Sequence, residues 1–145
     1  MPDGTVCASF DIEPWVQSLG VSVLALEIRG IENRPSHPDF DALRQETLAS
    51  LPPKLSKELL RADPVLAGFR ELHTTIGCSN REHIAAPEGL LSFLMKSGRL
   101  PSINLLVDIY NLVSLEELCA AAEELITLTK RFCGGEARFL HEPSI

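Results

Sequence analysis

Four short polar side chains, Asn104, Asp108, Asn111 and Ser114, interrupt an otherwise apolar run from Ile103 to Leu115 at intervals of four, three and three residues. That is helical spacing, so the four lie on one side of a single helix whose other sides are greasy. Such a helix has to be wrapped by the rest of the chain, and its polar stripe then either reaches water or lines a cavity. Lys and Glu would serve a plain solvent face better, because Asn and Asp compete with the backbone for hydrogen bonds and are poorer helix formers. Two readings of the stripe stand side by side. In one, the short amides and the carboxylate line a pocket. In the other, the same residues are buried caps and ties to neighbouring main chain.

The elements that must hold this helix follow from pattern. Val6, Ala8, Phe10 and Ile12 alternate as in a half-buried strand, and Pro14 to Leu19 forms a helical turn ended by Gly20, with Trp15 expected to anchor it to the core. Val21 to Arg29 is nearly continuous in apolar residues and reads as a central strand. The prolines of Arg34-Pro35-Ser36-His37-Pro38 impose a loop. A helix runs from about Asp39 to Pro52-Pro53, and another from Lys54 to Ala62 with Leu55, Leu59 and Leu60 inward. A third starts at Asp63-Pro64 as cap and first residue and ends near Ile76-Gly77. After a polar loop from Cys78 to Ala86, Pro87-Glu88 opens a helix stopped by Ser97-Gly98. Ser102 is the expected cap of the helix described first. Ser114-x-x-Glu117 is a candidate capping box from which a second helix restarts and runs to Phe132. Gly134-Gly135 ends that helix, and Glu136 to Leu140 is a last strand. The expectation is one α+β domain over residues 1–145, with a small mixed sheet of two or three strands against several helices.

Composition narrows the chemistry. A hydrophobic content of 45% with 23% charged residues is globular, and no apolar run reaches the roughly 18 residues of a membrane span. The N-terminus lacks the basic and apolar segments of a secretory signal. Cys7, Cys78, Cys119 and Cys133 are far apart with no matching histidines, which predicts reduced thiols, a cytoplasmic setting and no metal site. No nucleophile elbow, phosphate-gripping glycine loop or His-Glu-x-x-His sequence is present, and no cofactor is expected. A formal net charge of −7 argues against broad, charge-driven nucleic-acid binding. Local contacts from pairs such as Lys96 and Arg99 are still open to it.

The segment Pro101-x-Ile103-Asn104-x-x-Val107-Asp108-x-x-Asn111-x-Val113-x-Leu115-Glu116 resembles P-I-N-N-V-V-D-V-T-N-Y-V-M-L-E of the B3/B4 domain of the phenylalanyl-tRNA synthetase β subunit. It is more similar still to free-standing proteins built on that domain, which carry L-P-S-I-N-x-L-V-D-x-Y-N-x-V-S-L and, near their start, a strand followed by Gly-x-x-Asn like Gly30-Ile31-Glu32-Asn33. The synthetase domain binds and edits mischarged tRNA. The resemblance therefore implies an aminoacyl-tRNA partner, with Asn104, Tyr110 and Asn111 at the substrate and Asp108 as the candidate catalytic group of an aminoacyl-tRNA deacylase. It covers roughly Phe10 to Leu115, the front part of the family domain, and the chain reads as shortened at its C-terminus. The position that carries the synthetase's editing histidine falls at Ala122. That departure leaves a non-catalytic tRNA- or amino-acid-binding module as the alternative. An unpaired strand at a sheet edge would invite a second copy of the chain, so a homodimer also belongs among the expectations.

Overall fold

The computed structural model describes residues 9–51, 55–117 and 122–141. Seven helices and two strands follow in the order α1 (Pro14–Gln17), β1 (Ala25–Arg29), α2 (Pro38–Ser50), α3 (Lys57–Ala62), α4 (Pro64–Thr75), α5 (Ala86–Ser97), α6 (Leu105–Glu117), α7 (Ala122–Cys133) and β2 (Glu136–His141). This is a small α+β fold.

α6 is the pivot. Leu105, Ile109, Leu112 and Val113 are buried with Phe40 of α2 and with Leu128, Phe132 and Cys133 of α7. Leu115, at the other end of the same helix, is buried with Leu60 of α3, Leu66 of α4 and Leu91 of α5. One apolar helix thus joins two clusters, which is what its nearly all-round hydrophobicity requires.

The helix starts follow local chemistry. His37 Nδ1 accepts the Asp39 amide at the head of α2, and Ser56 Oγ accepts the Leu59 amide at the head of α3. Asp63 accepts the amides of Val65 and Leu66, with Pro64 as the first residue of α4, as the sequence predicts. α5 ends at Gly98 in the left-handed region, at φ 72°.

The two strands pair antiparallel, with Leu26 opposite Phe139, Glu27 opposite Arg138 and Ile28 opposite Ala137. On the charged face, Glu27 accepts from Arg29 at 2.7 Å and from Arg138 at 3.0 Å. These two guanidinium groups, Arg29 first, hold the Glu27 carboxyl below the usual carboxylate range. The ribbon enters β2 through Gly135, at φ 91°, where an added Cβ would lie 2.6 Å from the carbonyl oxygen of Arg29. Only glycine tolerates that approach.

Several elements differ from expectation. The first expected strand falls partly on residues 6–8, outside the described residues, and its remainder, 9–12, is irregular. β1 begins at Ala25, and Val21 to Leu24 precede it without strand pairing. Trp15 is 60% exposed, because α1 is a single turn with no buried residue and its indole N–H is satisfied locally by Glu13. Leu59 is exposed, since α3 turns only Leu60 fully inward. Ser114 lies within the continuous α6 and donates to the Tyr110 carbonyl, so it caps nothing.

Candidate functional site

The first turn of α6 has a partner for every amide that its own helix leaves bare. Leu105 N–H donates to the Arg34 carbonyl at 2.8 Å, Leu106 N–H to Asn33 Oδ1 at 3.0 Å and Val107 N–H to Asn104 Oδ1 at 3.0 Å. Asp108 N–H, the next in line, reaches the Asn104 carbonyl at 2.8 Å. Asn104 is therefore the N-cap, and Asn33 Nδ2 donates to the same Asn104 oxygen at 3.1 Å, locking the two amides together. Ser102, the expected cap, is placed otherwise: its hydroxyl donates to Asp108 Oδ2 at 2.6 Å. Asp108 Oδ1 accepts the Ile103 amide at 2.9 Å.

Asp108 is 3% exposed. Both its oxygens are engaged with the turn that leads into its own helix, and its place in the first turn sets the negative charge at the positive end of the helix dipole. The carboxylate thus folds residues 102–103 back onto α6. The Arg44 guanidinium of α2 also donates to the carbonyls of Leu100 at 2.8 Å and Pro101 at 3.1 Å. The turn from Leu100 to Asn104 is held by both α6 and α2.

A hollow of about 290 Å³ opens beside this turn, lined by Gly89, Leu90 and Phe93 of α5, by Leu100, Pro101 and Ile103 of the turn, and by Asn111 of α6. Among the described residues the carboxamide of Asn111 is the sole polar side chain of that lining, and no charged group belongs to it. Ile103, 64% exposed, and Phe93, also exposed, form part of its wall. Such size and chemistry suit an uncharged group about as large as one amino-acid side chain. Gly89 contributes to it in an informative way: its φ is not positive and a Cβ there would meet nothing within 4 Å. Neither backbone strain nor crowding demands glycine, and a side chain at that position would enter open space.

Of the four predicted site residues, Asn111 alone lines this hollow among the described residues. Asn104 and Asp108 support the turn behind it, and Tyr110 is 45% exposed. The histidines lie elsewhere: His37 caps α2 and meets the Phe132 ring edge-on at 5.1 Å, His73 shares a hydrogen bond with Asn80 at 3.0 Å, and His141 sits against Phe10. Among the described residues no three His, Cys, Asp or Glu side chains come together in a metal-binding arrangement. No helix among them is long and apolar enough to cross a membrane.

Sequence reasoning missed Asn33 as the second cap of α6 and Gly89 as part of the hollow. The first had a signal in the Gly30-x-x-Asn33 spacing, while the second had none, since a glycine in an amphipathic helix shows nothing of what faces it. Comparison with protein families, with characterised proteins and with solved structures finds no match to this chain.

Proposed function

We propose that this chain is a recognition module for the aminoacyl end of a tRNA, holding an uncharged amino-acid side chain in the hollow beside α6. The observation that carries the reading is the hollow itself: apolar walls from α5 and the 100–103 turn, with the Asn111 amide as a lone hydrogen-bonding group. The resemblance of residues 101–116 to the editing domain supplies the class of ligand. Asn104 and Asp108 then act as positioning residues, fixing the turn that forms one wall. A module that binds without reacting fits this arrangement better than a deacylase, because the Asp108 carboxylate is committed to Ser102 and Ile103 and lies behind the wall. Lys96 in the last turn of α5 and Arg99 just after it, both exposed, would be the cations to meet the terminal phosphates. With about two such contacts, binding would weaken only modestly with salt. A cytoplasmic setting, in which Cys78 and Cys133 stay thiols, suits that partner.

The test is equilibrium binding of adenosine carrying an amino acid through a 3′-amide, which cannot hydrolyse. Analogues with leucine, phenylalanine or tyrosine should bind, and those with aspartate or lysine should not. Gly89→Leu, which fills the hollow, should lower affinity at least tenfold, and Asn111→Ala by about two- to tenfold, as for one neutral hydrogen bond. Equal affinity of wild type and Gly89→Leu, or no binding of any analogue, overturns the reading. Hydrolysis of mischarged tRNA by wild type and not by a folded Asp108→Asn variant would return Asp108 to the reaction.

A further inference from the structure

The hollow beside α6 has a larger counterpart of about 370 Å³ between the Leu19–Val21 segment and one face of α4. Its lining is mixed: Val65, Phe69 and Leu72 of α4 with Leu19 and Val21 supply apolar surface, Thr75 is polar, and the exposed Glu71 is the one charged lining group among the described residues. Gly68 lies at the middle of this face. Like Gly89, it sits inside a helix without positive φ, and a Cβ there would meet nothing within 4 Å. Glycine is among the weakest helix formers, and no steric requirement of the fold accounts for it here. Six other glycines of the chain do have a positive φ. Among the described residues Gly68 and Gly89 do not, and each lines one of these hollows, as does Gly20, whose φ is positive.

The charge is also arranged. The Glu71 carboxylate has no hydrogen-bond or ion-pair partner among the described residues, the Thr75 hydroxyl being given to the Glu71 main-chain carbonyl at 2.9 Å. Arg70, its neighbour in sequence, turns its guanidinium away to the Leu60 carbonyl at 3.0 Å and to Glu88 at 2.8 Å. No cation among the described residues pairs with Glu71, and the net charge of −7 draws cations toward the molecule.

We infer that the hollow under α4 is a second binding site, independent of the aminoacyl reading, for a small amphipathic cation: an aryl- or alkylammonium whose apolar body lies on Val65, Phe69 and Leu72 and whose ammonium meets Glu71. Benzylamine is a suitable test ligand, with benzyl alcohol and benzoate as its neutral and anionic counterparts. Titration into the full chain, followed by the amide signals of Gly20 and Gly68, should show benzylamine binding about three- to fivefold more tightly than benzyl alcohol. That is the size of effect an exposed ion pair carries. Benzoate should bind weakest. Glu71→Gln should erase the preference for the amine while leaving the alcohol's affinity unchanged, and Gly68→Leu should abolish binding of both. Gly89→Leu should alter neither. Equal affinity for amine and alcohol, a preference that survives Glu71→Gln, or binding that survives Gly68→Leu overturns the proposal.

Discussion

Replacing Asp108 with asparagine preserves the shape of the side chain and removes its charge, which makes it the cleanest test of what this carboxylate does. Its two oxygens accept from Ser102 Oγ at 2.6 Å and Ile103 N–H at 2.9 Å, and hydrogen bonds to a charged acceptor contribute about 1.5–3 kcal/mol each. The amide oxygen of an asparagine can keep one of them in neutral form. The loss expected for Asp108→Asn is therefore about 2 kcal/mol, and for a chain of this size that lowers Tm by roughly 4–8 °C. A double-mutant cycle isolates the contact. Ser102→Ala alone removes one donor, and the pair of changes should cost less than the sum of the two by at least 1 kcal/mol, because they delete the same hydrogen bond. Chemical denaturation of the four proteins measures it, provided the m-value stays constant. Additive effects, or an Asp108→Asn protein as stable as wild type, would refute the structural role, and the carboxylate would then be free for the chemistry that the resemblance implies.

Two further outcomes follow from buried or paired groups. The hydroxyl of Thr129 in α7 is fully buried and has no hydrogen-bond partner among the described residues, at a cost of about 1–3 kcal/mol, so Thr129→Val should raise the urea midpoint with no change in m; a lower midpoint would mean that the oxygen is solvated. Glu27 is held below the usual carboxylate range mainly by Arg29, so its share of the ribbon's stability is present at and above that range and is lost only as pH falls through the depressed value. Its side-chain carbon signal should titrate below the roughly 4.3 of a free glutamate, and Arg29→Gln should move the midpoint up further than Arg138→Gln does; a midpoint that neither substitution moves would contradict the pairing.

The helical elements were legible because proline, glycine and capping residues mark their ends within a few positions. Asp63-Pro64 opens α4 and Gly98 closes α5 as local chemistry predicts. What sequence could not resolve was long-range pairing. Asn104 and Asp108 have the same residue types whether they line a cavity or cap a helix, and the choice was decided by Asn33, more than seventy positions away in the chain, and by the fold-back of Ser102 and Ile103. Exposure of Trp15 and Leu59 was hidden for a related reason: an apolar side chain on a four- or six-residue helix has too few neighbours of its own to fix its direction.

A polar residue whose side-chain oxygens are all engaged by the fold needs no ligand to explain it, and Asn104 and Asp108 are of that kind. Gly68 and Gly89 are of the opposite kind. Each weakens its helix, neither is required by φ or by contact, and each stands where a side chain would close a hollow. If they were accidents of drift, alanine at either position would stabilise the chain by up to about 1 kcal/mol and leave binding untouched. If the hollows are used, the same substitutions stabilise the helices while larger side chains abolish binding, each at its own hollow and not at the other. Stability and affinity moving in opposite directions at these two positions would be the mark of sites kept open against the preference of the helices that form them.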